Sequence, residues 1–104
     1  MTNSDRYEEN PLFRLIEFYV LWAIGELPEQ ERKTLEAMAP KLKVIYGGGG
    51  TWQHAIAAAM HFPPDMPDSI RQMWVQNREI ARANHTELPA QDFAEMFVDA
   101  NFAN

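Results

Sequence analysis

The amino-acid sequence predicts an all-α protein, a compact bundle of about five helices. Apolar residues recur every three or four positions through most of the chain, which is the spacing of one helix face. Proline and glycine clusters separate these segments, as expected for turns between helices. The one run that could be extended, residues 41–46, has no second strand-like run with which to pair.

The length of 104 residues predicts a single domain. The hydrophobic fraction of 46% is sufficient for a core in a chain of this length. Residues 1–9 are polar and acidic; they are predicted to be flexible, and they do not resemble a signal peptide.

Charge and cysteine content restrict the function classes. The chain carries 15 acidic and 9 basic residues, for a net charge of −6. This balance argues against binding to nucleic acid or to anionic membranes, and it permits a basic protein partner. Because the chain has no cysteine, disulfides, thiolate zinc sites and a cysteine nucleophile are excluded, and a cytoplasmic setting is expected. No cofactor is predicted.

The first predicted helix begins with Asn10 as N-cap and Pro11 at its first position. Its early part is amphipathic, with Arg14 and Glu17 expected on the polar side. All seven residues of 18–24 are apolar. Either the other helices surround this helix, or its outer face binds a second copy of the chain. The interface predicted for the second case comprises Phe18, Leu21, Trp22, Val98 and Phe102.

The second helix is predicted to begin near Glu29 and to be kinked at Pro40, because proline lacks the N–H that continues the hydrogen-bond ladder. Its expected inner face consists of Leu35, Met38, Leu42 and Ile45. A glycine-rich turn, Gly47–Gly50, then leads to the third helix. Thr51 is the predicted N-cap of that helix, and the pair Pro63-Pro64 ends it.

The fourth helix is predicted after Asp65, with an inner stripe from Met66 to Ala81 and a left-handed cap at Asn84. Arg71, Arg78 and Arg82 share another side of it. The fifth helix, residues 90–102, has Phe93, Met96, Phe97 and Ala100 as its expected inner stripe. Asp92, Glu95 and Asp99 form an acidic stripe, which could pair with the arginines of the fourth helix.

The glycine-rich turn is the first candidate ligand site, because backbone N–H groups at a helix N-terminus can bind an anion. A phosphate loop would require a lysine after the last glycine, and dinucleotide binding would require a preceding strand; the sequence has neither. A plain helix–helix turn is therefore the favoured interpretation. The candidate ligand-binding residues are Gly48, Gly49, Gly50, Thr51, Trp52 and His54.

The other polar residues of the sequence do not form a recognisable catalytic or metal-binding pattern. His54 and His61 stand about 10.5 Å apart along one helix, too far to hold one metal ion. Three carboxylates on one helix face, Asp92, Glu95 and Asp99, are usually solvated. Asn77 lies within an inner stripe and is expected to hydrogen-bond to loop backbone.

Two functions follow as hypotheses. The favoured one is a small non-enzymatic interaction module that associates with itself or masks a basic partner, in the manner of an adaptor, immunity protein or antitoxin. The alternative is a helical ligand-binding protein or enzyme with its site at Gly47–Gly50, Trp52 and His54. An apolar surface patch would favour the first, and an enclosed polar pocket at the glycine-rich turn would favour the second.

Overall fold

A computed structural model describes residues 11–102 and confirms the all-α fold. These residues form five helices and contain no strand. The helices are α1 (Pro11–Ala23), α2 (Glu29–Tyr46), α3 (Trp52–Met60), α4 (Met66–Ala83) and α5 (Ala90–Asn101). The predicted N-cap Asn10 and the predicted flexible residues 1–9 lie outside the described part of the chain.

The chain divides into two compact units. The first unit contains the residues up to Glu26 together with those from Pro67 onward, and the second contains Leu27–Met66. The second unit is therefore an insertion in the sequence of the first. The single domain expected from the length stays a prediction.

In the first unit, α1 packs against α5. Ile16, Val20 and Val98 are each 0% exposed, so this helix pair encloses an apolar core. Helix α4 joins the unit through Trp74, whose ring lies 5.2 Å from the ring of Phe93. The guanidinium of Arg71 also donates to the carbonyl oxygen of Ala23 at 3.2 Å, which ties α4 to the end of α1.

A buried carboxylate also joins α1 and α5. Glu17 is 0% exposed, although the sequence places it on the polar side of its helix. Its Oε1 accepts a hydrogen bond from Nε2 of Gln91 at 2.9 Å and pairs with Arg14 at 3.4 Å. Gln91 donates from the same nitrogen to Glu95 at 3.1 Å. Both Gln91 and Arg14 reach the same oxygen of Glu17, and a buried carboxyl group requires such donors.

In the second unit, α2 packs against α3. Leu35, Leu42, Trp52 and Ile56 are buried, each no more than 3% exposed. Thr51 caps α3 as predicted, because its Oγ1 accepts a hydrogen bond from the backbone N–H of His54 at 3.1 Å.

Helix α2 continues through Pro40 and includes residues 41–46, so this run is helical rather than extended. Pro40 lies on the exposed side of the helix, where water can reach the carbonyl that lacks its usual donor. A bend of the axis at Pro40 stays a prediction. Ile45, expected on the inner face, is 57% exposed, because the buried face of α2 ends at Leu42.

Three helices end in the same way. After α1, α3 and α4 a residue with positive φ reverses the chain: Gly25 (76°), His61 (56°) and His85 (59°). In each case the next N–H donates to the carbonyl five residues earlier, which is the Schellman pattern. The predicted cap Asn84 is therefore wrong by one residue. His85 takes the left-handed conformation, and Asn84 instead donates its side-chain amide to the carbonyl of Ile80 at 3.1 Å.

The inner stripe of α5 also differs from the prediction. Its buried residues are Phe93, Ala94, Phe97 and Val98. Met96 is 49% exposed, and Ala100 is exposed as well. The helix packs one line of residues further round than predicted, because Ala94 fits closely against its neighbours and the longer Met96 side chain does not face them.

Candidate ligand site

A cleft of about 500 Å³ lies in the first unit. It is lined by Glu26 after α1, by Trp74, Arg78 and Arg82 on α4, and by residues 86–90 at the start of α5. Its volume is in the range of small-molecule sites. The glycine-rich turn contributes nothing to this cleft.

Helix periodicity brings the three α4 residues to one wall. Trp74, Arg78 and Arg82 follow at intervals of four residues, so they lie in a row on one side of the helix. The turn at the end of α4 forms the neighbouring wall. Thr86 fixes this turn, since its hydroxyl donates to the carbonyl of Ala81 at 3.0 Å and its backbone N–H donates to the same oxygen at 2.9 Å.

The base of the row is aromatic. Trp74 is only 8% exposed, and the guanidinium carbon of Arg78 lies 5.2 Å from the centre of its ring. This distance is within the range of a cation–π contact, which holds the arginine over the ring without neutralising its charge. The planar guanidinium keeps its hydrogen-bond donors for another group.

The cleft arginines differ from the other arginines in residues 11–102. Arg14, Arg32 and Arg71 each form an ion pair with a carboxylate in the same helix. The pair with Glu29 lowers the pKa of that carboxyl, chiefly through its hydrogen bond to Arg32. Arg78 and Arg82 form no ion pair with any described residue, and both line the cleft.

The cleft also contains two carboxylates. Glu26 and Glu87 are exposed, and neither forms an ion pair within residues 11–102. Two positive and two negative side chains therefore line one cavity without neutralising one another. Leu88 and Pro89 add an apolar part to the wall.

The glycine-rich turn has a structural explanation for its composition. Gly47, Gly48 and Gly50 have φ values of 90°, 96° and 108°. A Cβ atom on Gly48 would lie 2.7 Å from the backbone carbon and oxygen of His54. Gly48 thus lies directly against the first turn of α3, where only glycine fits.

Among the other candidate ligand residues, two have structural roles and the third is exposed. The indole of Trp52 is 1% exposed and belongs to the core. The Thr51 hydroxyl is used in capping α3. His54 is exposed, and its imidazole lies close to Gly49, so that a Cβ atom on that glycine would be 2.8 Å from Nδ1.

The residues of the predicted apolar interface are divided between core and surface. Leu21 and Val98 are 4% and 0% exposed, so their side chains lie in the core of the chain. Phe18, Trp22 and Phe102 are half-buried. Phe18 carries the guanidinium of Arg14 at 4.4 Å from its ring centre, and Phe102 packs 6.1 Å from the ring of Phe97.

Two further predictions about polar residues are wrong. No ion pair within residues 11–102 joins the arginines of α4 to the acids of α5; Arg71 pairs with Asp68 in its own helix instead. Asn77 donates its amide to the carbonyl of Met73 at 2.7 Å, one turn earlier in α4, rather than to a loop. Arg71 and Asn77 thus each bind a partner in their own helix rather than one on another element.

The described part of the chain, residues 11–102, contains neither a cluster suited to a metal ion nor a helix suited to a membrane. No three His, Asp or Glu side chains of residues 11–102 are grouped closely enough to hold a metal ion. No helix in that range combines the length and the apolarity that a bilayer crossing requires.

The chain matches no protein-family model, and comparison with curated proteins and with solved structures finds no significant similarity.

Sequence reasoning did not identify the cleft. It placed Arg78 and Arg82 on one side of the fourth helix, but as possible ion-pair partners for the acids of the fifth helix rather than as part of a ligand site. Glu26 and Glu87 were missed, because a carboxylate near a turn is ordinary in an acidic chain. The signal that could have found Glu87 is its place next to Leu88-Pro89, immediately after the end of the arginine-bearing helix.

Proposed function

We propose that the protein is a non-enzymatic helical interaction module that associates with a second copy of itself. The observation that carries this proposal is a pair of exposed helix faces with apolar centres and opposite charge. One face lies on α2 and the other on α5, so a face of one copy can bind the complementary face of the next.

The α2 outer face consists of Lys33, Ala37, Lys41 and Val44, which follow helical spacing on the side opposite Leu35 and Leu42. Val44 is 87% exposed, and Ile45, at the edge of this face, is 57% exposed. Both lysines are exposed and form no ion pair within residues 11–102. The face therefore presents an apolar centre with positive charge around it.

The α5 outer face consists of Asp92, Met96 and Asp99, at intervals of four and three residues. Met96 is 49% exposed, and both aspartates are exposed. Methionine adapts its shape to a partner, and the flanking carboxylates match the lysines of the α2 outer face. Such complementarity favours one orientation of two copies and steers their encounter.

Because the two faces differ, contact between them is heterologous. Each copy then keeps one face of each kind available unless the assembly closes into a ring.

A reducing, cytoplasmic setting is proposed on the absence of cysteine. The net charge of −6 supports a protein partner rather than a nucleic acid.

The test is light scattering after size exclusion over a range of protein and salt concentrations. We expect a mass above 12.0 kDa that rises with protein concentration and falls with added salt, since salt screens exposed charges. A mass of 12.0 kDa throughout would refute self-association and direct attention to a basic partner.

Charge-reversal variants test whether the α2 and α5 outer faces form the contact. Lys41→Glu places a carboxylate opposite Asp92, and Asp92→Lys places an ammonium opposite Lys41, so each variant alone should stay monomeric. A mixture of the two variants should associate, because both contacts between unlike chains again join opposite charges.

Lys43→Glu is the matched control, since it makes the same change of charge about 100° round α2 from Val44. It should associate as the unchanged chain does. Failure of the mixture to associate would exclude this pair of faces.

A further inference from the structure

We infer that the cleft between Glu26, the arginine row of α4 and the start of α5 binds a small zwitterion that carries a free carboxylate and a free ammonium group. An α-amino acid with an apolar side chain has this chemistry, and so have the two ends of a short peptide. The inference does not depend on self-association, because the cleft shares no residue with the α2 or α5 outer face.

The arginines identify the group bound on one side. The other three arginines of residues 11–102 are paired with carboxylates of their own helices, whereas Arg78 and Arg82 are not. Arg78 is held over Trp74 at 5.2 Å, which fixes its position before any ligand arrives. Two guanidinium groups in a row present the paired N–H donors that suit a carboxylate.

The two glutamates of the cleft make a simple anion an unfavourable ligand. Glu26 and Glu87 line the same cavity and balance the charge of the two arginines. A phosphate or a dicarboxylate would gain from the arginines and be repelled by the glutamates, so its net attraction would be small. A ligand with both charges interacts favourably with both pairs, and an ammonium group gives each glutamate a partner that it lacks within residues 11–102.

The volume and the remaining wall define the rest of the ligand. A cavity of about 500 Å³ is large enough for an amino acid or a dipeptide. Leu88 and Pro89 provide an apolar surface for its side chain. The cleft is open to water, so binding in the millimolar to micromolar range is expected rather than tighter.

The experiment is a titration of the full chain in which the backbone amide signals are monitored by NMR. L-leucine and the dipeptide alanyl-leucine are the two probes, and they distinguish a free amino acid from a peptide. Either probe should shift the amide signals of Glu87, Leu88 and Ala90 and the indole signal of Trp74. Signals of the α2 outer face should not move.

Two blocked forms of the amino acid test the need for both charges. N-acetyl-leucine lacks the ammonium group and leucinamide lacks the carboxylate, so each should bind at least about tenfold more weakly than leucine. Equal binding of N-acetyl-leucine would mean that the cleft takes simple anions and would overturn the inference. Absence of shifts in the cleft with both probes at millimolar concentration would overturn it as well.

Matched substitutions locate the site. Arg82→Gln should weaken binding about tenfold or more, whereas Lys43→Gln, the same loss of one positive charge at an exposed position outside the cleft, should not. Likewise Glu87→Gln should weaken binding, and Glu79→Gln should not. All four chains should retain the helical circular dichroism spectrum, because the four side chains are exposed. Equal effects of a variant and its control would assign the shifts to general charge and refute the site.

Discussion

Gly48 shows how one residue fixes the turn between the two helices of the second unit. Its φ of 96° is in the region that side chains disfavour, and the backbone of His54 occupies the space of a Cβ atom. These backbone atoms of His54 cannot move without displacing the first turn of α3. The glycine is thus required by backbone shape and by backbone proximity at the same time.

Gly48→Ala is predicted to lower the free energy of unfolding by at least about 2 kcal/mol, through backbone strain and contact with His54. Gly49→Ala is the matched control: its φ is not left-handed, and a Cβ atom there would meet only the imidazole of His54, which can rotate away. The control should remain within about 1 kcal/mol of the unchanged chain. Urea denaturation measures both, and equal losses would show that the contact at Gly48 does not matter.

The buried carboxylate of Glu17 gives a second prediction at this scale. Gln91→Leu removes a donor at 2.9 Å from a side chain that is 0% exposed, so it should destabilise the chain by about 1.5–3 kcal/mol. Gln76→Leu on the exposed side of α4 is the control and should change stability by less than about 0.5 kcal/mol. Denaturant titration measures the free energy of unfolding of both variants. If Gln91→Leu lowers it no more than the control does, the hydrogen bonds of Glu17 do not contribute to stability.

Tyr19 predicts a response to alkaline pH. Burial raises the pKa of its phenol, because the charged form is disfavoured inside the protein. Its contribution to stability is therefore complete below the pKa of the unfolded chain, about 10, and is lost as the pH rises through the higher folded pKa. Tyr19→Phe should make unfolding less sensitive to pH above about 10. Thermal melts of both chains between neutral and alkaline pH would show this, and parallel curves would contradict it.

At the scale of elements, helix number and helix ends follow closely from the sequence, because prolines, glycines and capping residues act locally. Thr51 caps α3 as expected. Packing faces were predicted less well, since they depend on contacts far along the chain. The burial of Glu17 depends on Gln91, which is 74 residues away in sequence. The cleft depends likewise on Glu26 and Glu87, which are 61 residues apart in sequence and line the same cavity.

The position of Pro40 inside α2 predicts that this residue lowers the free energy of unfolding of the chain. Pro40 is exposed and lacks the N–H that would bond to the carbonyl of Glu36, so Pro40→Ala should raise the free energy of unfolding by about 1–3 kcal/mol. Lys43→Ala, also exposed on α2, should change it by less than about 0.5 kcal/mol. Thermal denaturation decides. A less stable Pro40→Ala variant would mean that a bend at the proline is required for packing.

At the scale of the whole molecule, the division into two units raises the question of whether the inserted unit folds alone. Leu27–Met66 has about 40 residues, which is at the lower limit for a core without metals or disulfides. The isolated segment is predicted to be mostly unfolded. Circular dichroism with a thermal melt tests this, and a cooperative transition in the isolated segment would show that it is an independent domain.

The pairing of α1 with α5 has a consequence for synthesis on the ribosome. Helix α1 is made early, and its packing partner follows only after the whole inserted unit has been translated. Gln91 follows Glu17 by 74 residues, which at about 5–20 residues per second is a delay of roughly 4–15 s. During that interval the apolar run 18–24 has no α5 to cover it, and exposed apolar surface of this kind makes an incompletely folded chain prone to aggregation.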